Sequence, residues 1–168
     1  RVLYVDFSSS FNSVRPHLLV NKLRQMSVSP PLMLWVLNFL VDRTQSVRVG
    51  DIHSSSSSTS VGTPQGSVVS PVLYILFTND CTSSGGLQHC VKFADDTALV
   101  DLTNSDAQYQ QEVERFVAWC RDNSLLLNIS KTREMVFDFR RSSAEPQALH
   151  IDGQVVERTS VYKYPGTG

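Results

Sequence analysis

Two aspartates, Asp95 and Asp96, stand side by side inside the apolar run CVKFADDTALV (90–100). Without them the run is an ordinary buried strand. Two carboxylates about 4 Å apart repel by roughly 4 kcal/mol at an effective dielectric near 20. Such a pair must be solvated, share a proton or hold a cation. A third carboxylate, Asp6, ends another short apolar run, VLYVD (2–6). If the two runs are neighbours in one sheet, three carboxylates meet at one edge, and a divalent ion is the economical counter-charge. All-oxygen ligands without paired His or Cys suit Mg²⁺ or Mn²⁺ rather than Zn²⁺. Two such ions about 3.5–4 Å apart serve in-line phosphoryl transfer. Taken alone, an Asp-Asp pair is more often a solvated hairpin turn.

The elements that must position these residues follow from periodicity. VLYVD is β-branched and apolar, a short buried strand. Residues 15–26 and 29–43 carry helical spacing, with Pro16 and the Ser29-Pro30-Pro31 stretch as start signals. Residues 45–62 alternate around a turn at Gly50-Asp51, which predicts a hairpin whose return arm holds the serine run 54–58. GTPQGSVVSPVLYILFTND (62–80) is a glycine-flanked loop feeding an apolar helix. Residues 87–94 and 97–102 flank the aspartate pair, which places Asp95-Asp96 at a hairpin tip. Ser105 caps a helix over 105–123 with one apolar stripe. Strands are predicted at 135–139, at 148–156 around a turn at Asp152-Gly153, and at 160–164. The implied layout is α+β, an antiparallel sheet with helices packed on one face.

Composition narrows the classes. The chain has 168 residues, 41% hydrophobic and 18% charged, enough for one domain with a real core. No apolar run reaches the roughly 18 residues that span a bilayer, so no membrane association is expected. Cys81, Cys90 and Cys120 show no metal-type spacing and are expected to be plain buried thiols. A net charge of -1 gives no field that would gather nucleic acid, so a nucleic-acid enzyme would carry its basic surface elsewhere. The chain opens without Met, within an expected strand, and stops at YKYPGTG, so it is expected to be a fragment of something longer.

VLYVDFSSSFNSV, GTPQGSVVSP and FADD occur in that order in three separate segments. Together they resemble the palm of a reverse transcriptase of the LINE-type, non-LTR retrotransposon group. WCRDNSLLLNISKTREMVFDFR (119–140) and VYKYPGTG (161–168) resemble the two segments that follow in that family, so the likeness spans residues 1–168. It implies an RNA-directed DNA polymerase that adds dNTPs to a primer 3′-hydroxyl with two Mg²⁺ or Mn²⁺ ions. Asp6, Asp95 and Asp96 would be the metal triad, with the Phe7 carbonyl as a further ligand. Phe11 would crowd the sugar 2′-carbon and select dNTP over rNTP. Pro64, Gln65 and Gly66 would hold the nascent base pair, Gln65 also touching primer and template. Lys131 would act as a catalytic group at the departing pyrophosphate, and Tyr164 and Gly166 would contact the primer.

The implied partners are an RNA template, a DNA primer and dNTPs. Fingers before residue 1, a thumb after residue 168 and an endonuclease domain would complete a larger polyprotein working in the nucleus or cytoplasm. Alone, the fragment is expected to bind metal weakly and polymerise poorly. Ser10 stands where the family usually has Ala, Asn12 where Asp is frequent, and Pro165 where Leu is usual. Two rival readings are an inert or merely RNA-binding transposon relic and an RNA-dependent RNA polymerase. Phe11 and the FADD form argue against the polymerase, and the three intact carboxylates against decay of the site.

Overall fold

The β-branched opening of the chain forms the strand around which a sheet assembles. The computed structural model describes residues 1–81, 89–102, 105–137 and 145–162. Its first half contains β1 (Val2–Val5), α1 (Pro16–Gln25), α2 (Pro30–Leu40), β2 (Arg43–Gln45), β3 (Arg48–Val49), β4 (Ile52–His53), β5 (Ser57–Thr59) and α3 (Val69–Phe77). There follow β6 (His89–Phe93), β7 (Asp96–Val100), α4 (Asp106–Asp122), β8 (Arg133–Met135), β9 (His150–Ile151), β10 (Gln154–Val155) and β11 (Glu157–Arg158). The chain divides into two compact units, one of residues 1–10 with 81–168 and one of residues 11–80.

The first unit is built on a five-stranded sheet in the order β11-β8-β1-β7-β6. All its pairs are antiparallel except β11 with β8, which is parallel. β1 alternates, burying Leu3 and Val5 on the face that also carries Phe7, whose ring meets Phe116 of α4 at 6.4 Å between centroids. Ser105 caps α4, its hydroxyl accepting from the Gln108 amide at 3.3 Å. Tyr109, Val113, Phe116, Val117 and Cys120 form the buried stripe. On the opposite sheet face Tyr4 stacks on Tyr162, with ring centroids 3.7 Å apart and 5° between planes.

Glu134, on the α4 side of β8, is fully buried. It accepts from Arg158 Nε at 2.7 Å, and Arg1 Nη1 lies 3.8 Å away. Arg133 reaches Glu157 at 3.0 Å. These two ion pairs, each between residues opposite one another in the register, fasten β11 to β8, an edge strand of charged residues that carry no strand pattern. The strand predicted at 135–139 instead begins at Arg133, where it pairs with Tyr4. Ser160 to Tyr162 are not strand, and residues 163 and 164 lie outside the described residues. Cys81 and Cys120 are buried as expected, but Cys81 also lies 3.9 Å from the Cys90 sulfur.

In the second unit α1 packs against α2 and α3 through Leu19, Leu23, Val36, Leu40, Leu73 and Phe77. Each such side chain contributes about 1.5–3 kcal/mol when fully buried. Lys22 is buried here, and its ammonium donates to the Phe77 carbonyl at 2.7 Å and to Asp80 at 2.5 Å. That satisfies a charge that would otherwise be costly. The predicted hairpin turns at Gly50-Asp51 between β3 and β4. Further out, the serine run supplies β5, which pairs with β2. Among the described residues no helix is long and apolar enough to cross a membrane.

Candidate active site

β1 and β7 pair so that Val5 faces Thr97 and Tyr4 faces Ala98. Continuing this register by one residue sets Asp6 across from Asp96. By alternation both lie on the sheet face away from α4, the face of Tyr4. β6 and β7 are joined by the two-residue loop Ala94-Asp95, with Phe93 paired to Asp96. The predicted tip is therefore displaced by one residue: Asp95 is in the loop, whereas Asp96 opens β7. Ala94 takes the left-handed conformation, φ 54°, needed for so tight a reversal.

Asp96 is half-buried. Its carboxyl is pushed above the usual value of 3.8, first by desolvation and then by the negative charges of Asp95 and Asp6. The charges of Asp95 and Asp6 thus both bear on the Asp96 carboxyl. Among the described residues, however, no three His, Cys, Asp or Glu side chains stand close enough together to hold a metal ion as they are. Asp95 is also held from outside the hairpin, where the buried Ser10 hydroxyl donates to its Oδ2 at 3.3 Å. Ser10 thereby touches one of the candidate ligands.

Behind Asp6 the chain is gripped by the segment 126–132. The Asn128 amide donates to the Asp6 carbonyl at 2.8 Å, and the Ser8 amide donates to the Leu126 carbonyl at 2.8 Å. Phe7 and Leu127 form an isolated bridge between these two bonds. The flanking groups make that bridge, so the Phe7 carbonyl is not consumed in it. Lys131 is exposed on this same segment, its amide donating to the Asn128 carbonyl at 3.1 Å.

Phe11, Pro64, Gln65 and Gly66 belong to the second unit, and there the structure brings Phe11 together with the loop before α3. The Thr63 amide donates to the Phe11 carbonyl at 2.8 Å, and the Gly62 amide to the Val14 carbonyl at 2.8 Å. Gly62, at φ 75°, lies so close that a Cβ would sit 2.7 Å from the Asn12 Cα. The Phe11 ring rests on Tyr74, with centroids 5.2 Å apart, and stays partly exposed. Ser70 ties the Pro64 carbonyl to α3 at 2.6 Å. Beyond it, Gln65 and Gly66 are exposed, and Gly66, at φ 78°, has open space where a Cβ would be. Tyr164 and Gly166 lie outside the described residues.

Comparison with known proteins agrees in direction. A sequence model of the family described as "Reverse transcriptase (RNA-dependent DNA polymerase)" matches residues 1–167. The "RNA-directed DNA polymerase from mobile element jockey" of Drosophila melanogaster is 27% identical over 97% of this chain. The "Probable RNA-directed DNA polymerase from transposon BS" of the same fly is 27% identical over 98%. The chain spans only 19% of the length of each of these relatives. Among solved structures, telomerase from Candida albicans, in complex with a fragment of telomeric RNA, superposes with a TM-score of 0.57. It shares 17% identity over 93% of this chain and 30% of its own, a likeness of fold.

Proposed function

The chain belongs to the reverse transcriptase (RNA-dependent DNA polymerase) family, and on that premise we propose that it is the palm of a non-LTR retrotransposon's RNA-directed DNA polymerase. The observation that carries this reading is the strand register that sets Asp6 across from Asp96, with Asp95 in the adjoining loop. The donors are all oxygen, and the negative charges of Asp95 and Asp6 both bear on the Asp96 carboxyl. Asp6, Asp95, Asp96 and the Phe7 carbonyl would hold the ions, the carboxylates turning toward them about their side-chain bonds. Two Mg²⁺ or Mn²⁺ ions, when bound, supply a lowered pKa at the primer 3′-hydroxyl and charge neutralisation at the leaving pyrophosphate.

The residues of the chain itself place the reactants. Phe11, backed by Tyr74 and laced to Thr63, presents a ring that leaves room for hydrogen but not hydroxyl at the sugar 2′-carbon. Gln65 has an amide donor and acceptor for the nascent pair, and Gly66 leaves its own surroundings open for a base pair to approach. Lys131 carries a proton for the departing pyrophosphate. Template, primer and dNTPs are the partners, and the fingers and thumb needed to clasp them would come from further segments of a longer polypeptide.

Primer extension on homopolymer RNA tests the reading. A polypeptide carrying this chain with its flanking fingers and thumb is expected to incorporate dNTPs with Mg²⁺ or Mn²⁺, whereas the 168-residue chain alone extends little. Asp95→Asn abolishes extension. Equal use of rNTPs, or full activity of the Asp95→Asn variant, refutes the proposal.

A further inference from the structure

We propose that Thr132 is a positioning residue for Asp6: its hydroxyl closes a ring of hydrogen bonds that fixes the backbone from which the Asp6 carboxylate projects. This rests on the reading of Asp6 as a metal ligand. The ring has three members. The Asp6 amide donates to Thr132 Oγ1 at 3.4 Å, Thr132 Oγ1 donates to the Asn128 carbonyl at 2.9 Å, and the Asn128 amide donates to the Asp6 carbonyl at 2.8 Å. Both backbone polar groups of Asp6 are thereby committed to one short segment.

Thr132 is 1% exposed, so water cannot replace its hydroxyl. A threonine hydroxyl bonding back four residues is ordinary local structure. What sets this one apart is its second role, as acceptor for the residue at the end of β1. Its lone pairs and its proton are used in opposite directions, a combination valine cannot supply and serine can. Lys131 precedes Thr132, so the same ring also fixes where the Lys131 stem starts. Groups that orient a ligand from behind typically govern metal affinity by 10–100-fold.

Mn²⁺ binding, counted by the loss of the free-ion EPR signal, and amide hydrogen exchange by NMR test this in the 168-residue chain. Thr132→Val is expected to weaken Mn²⁺ binding about tenfold, and Thr132→Ser to restore it to within about twofold. Leu149→Ala serves as the control, since Leu149 is buried in the same unit and makes no bond in the ring. It should lower the melting temperature and leave Mn²⁺ affinity unchanged. Unaltered affinity in Thr132→Val, or an equal loss in Leu149→Ala, overturns the proposal. The Asp6 amide of the unsubstituted chain should exchange as slowly as that of Val5, and rapid exchange there overturns the proposal even if Thr132→Val fails to fold. If the unsubstituted chain binds no Mn²⁺, the metal reading fails, and Asp6 exchange in Thr132→Ser against Thr132→Val decides the Thr132 contact by itself.

Discussion

Replacing Asp96 by Asn removes one charge and little volume, and its effect on stability should change sign with divalent metal. Directly opposed residues on antiparallel strands have Cα atoms about 4.5–5.5 Å apart, so Asp6 and Asp96 carboxylates projecting side by side would lie roughly 5 Å apart. Their repulsion is about 3 kcal/mol at a dielectric of 20 and about 0.8 kcal/mol in water. Both side chains are half-buried, so the relief in Asp96→Asn should fall near the lower bound, about 1 kcal/mol. In EDTA the variant should therefore melt about 2–4 °C above the parent.

With Mn²⁺ at a hundred times its dissociation constant, the parent gains about 2.7 kcal/mol, or about 5–10 °C, and the variant gains little. The order of melting temperatures inverts. Acidity supplies a second check. The folded-state value of Asp96 is raised above 3.8, so the folded state holds its proton longer than the unfolded state. The parent in EDTA then loses stability as pH rises from 3.8 through the raised value, and Asp96→Asn lacks that loss. Melting followed by circular dichroism reads both effects. A variant less stable than the parent in EDTA, or Mn²⁺ shifts equal in both, would refute the reasoning.

Other expectations are more local. Gly62→Ala should cost at least about 2 kcal/mol in urea denaturation, since it adds a Cβ against the Asn12 backbone to a left-handed φ. Gly66→Ala, with the same sign of φ but open space, should cost about 1 kcal/mol; equal losses would contradict the close approach. Cys90 is pushed down to about 7 by the hydrogen bond from the Cys81 thiol. Cys81 is pushed up by the same contact and by burial, and Cys120 by burial. Iodoacetamide should therefore alkylate Cys90 first, about tenfold faster for each pH unit up to 7 and level above it. Peptide mass spectrometry showing Cys120 modified first would count against this.

Patterns with a local cause were legible in the sequence. The Ser105 cap, the proline starts of α1 and α2 and the turns at Gly50 and Asp152-Gly153 lie where residue chemistry puts them. The sequence left the pairing of the Asp6 and Asp96 runs as a condition, which the β1–β7 register supplies. What stayed hidden was set by distant partners. β11 is a pair of charged residues held by Arg158–Glu134 and Arg133–Glu157, and no periodicity announces it. β8 starts early because Arg133 lies opposite Tyr4, although the apolar signal of the segment lies further on, at Val136 and Phe137. Nothing in NISKT marks Thr132 as the residue whose hydroxyl returns to Asp6; that signal is a hydrogen bond between residues far apart in the chain.

The arrangement of the two units has a consequence for how the protein is made. β1 leaves the ribosome ahead of residues 11–80, yet its two neighbours in the sheet, β7 and β8, are encoded only after the whole of that stretch. The second unit, compact in itself, can be complete while β1 still has both edges open. Such long-range pairing is slow and exposes strand edges meanwhile. Truncation anywhere before Met135 would strand β1 without β8 and leave a well-formed insert attached to an unfinished sheet, so ribosome stalling in that interval should favour aggregation over partial activity.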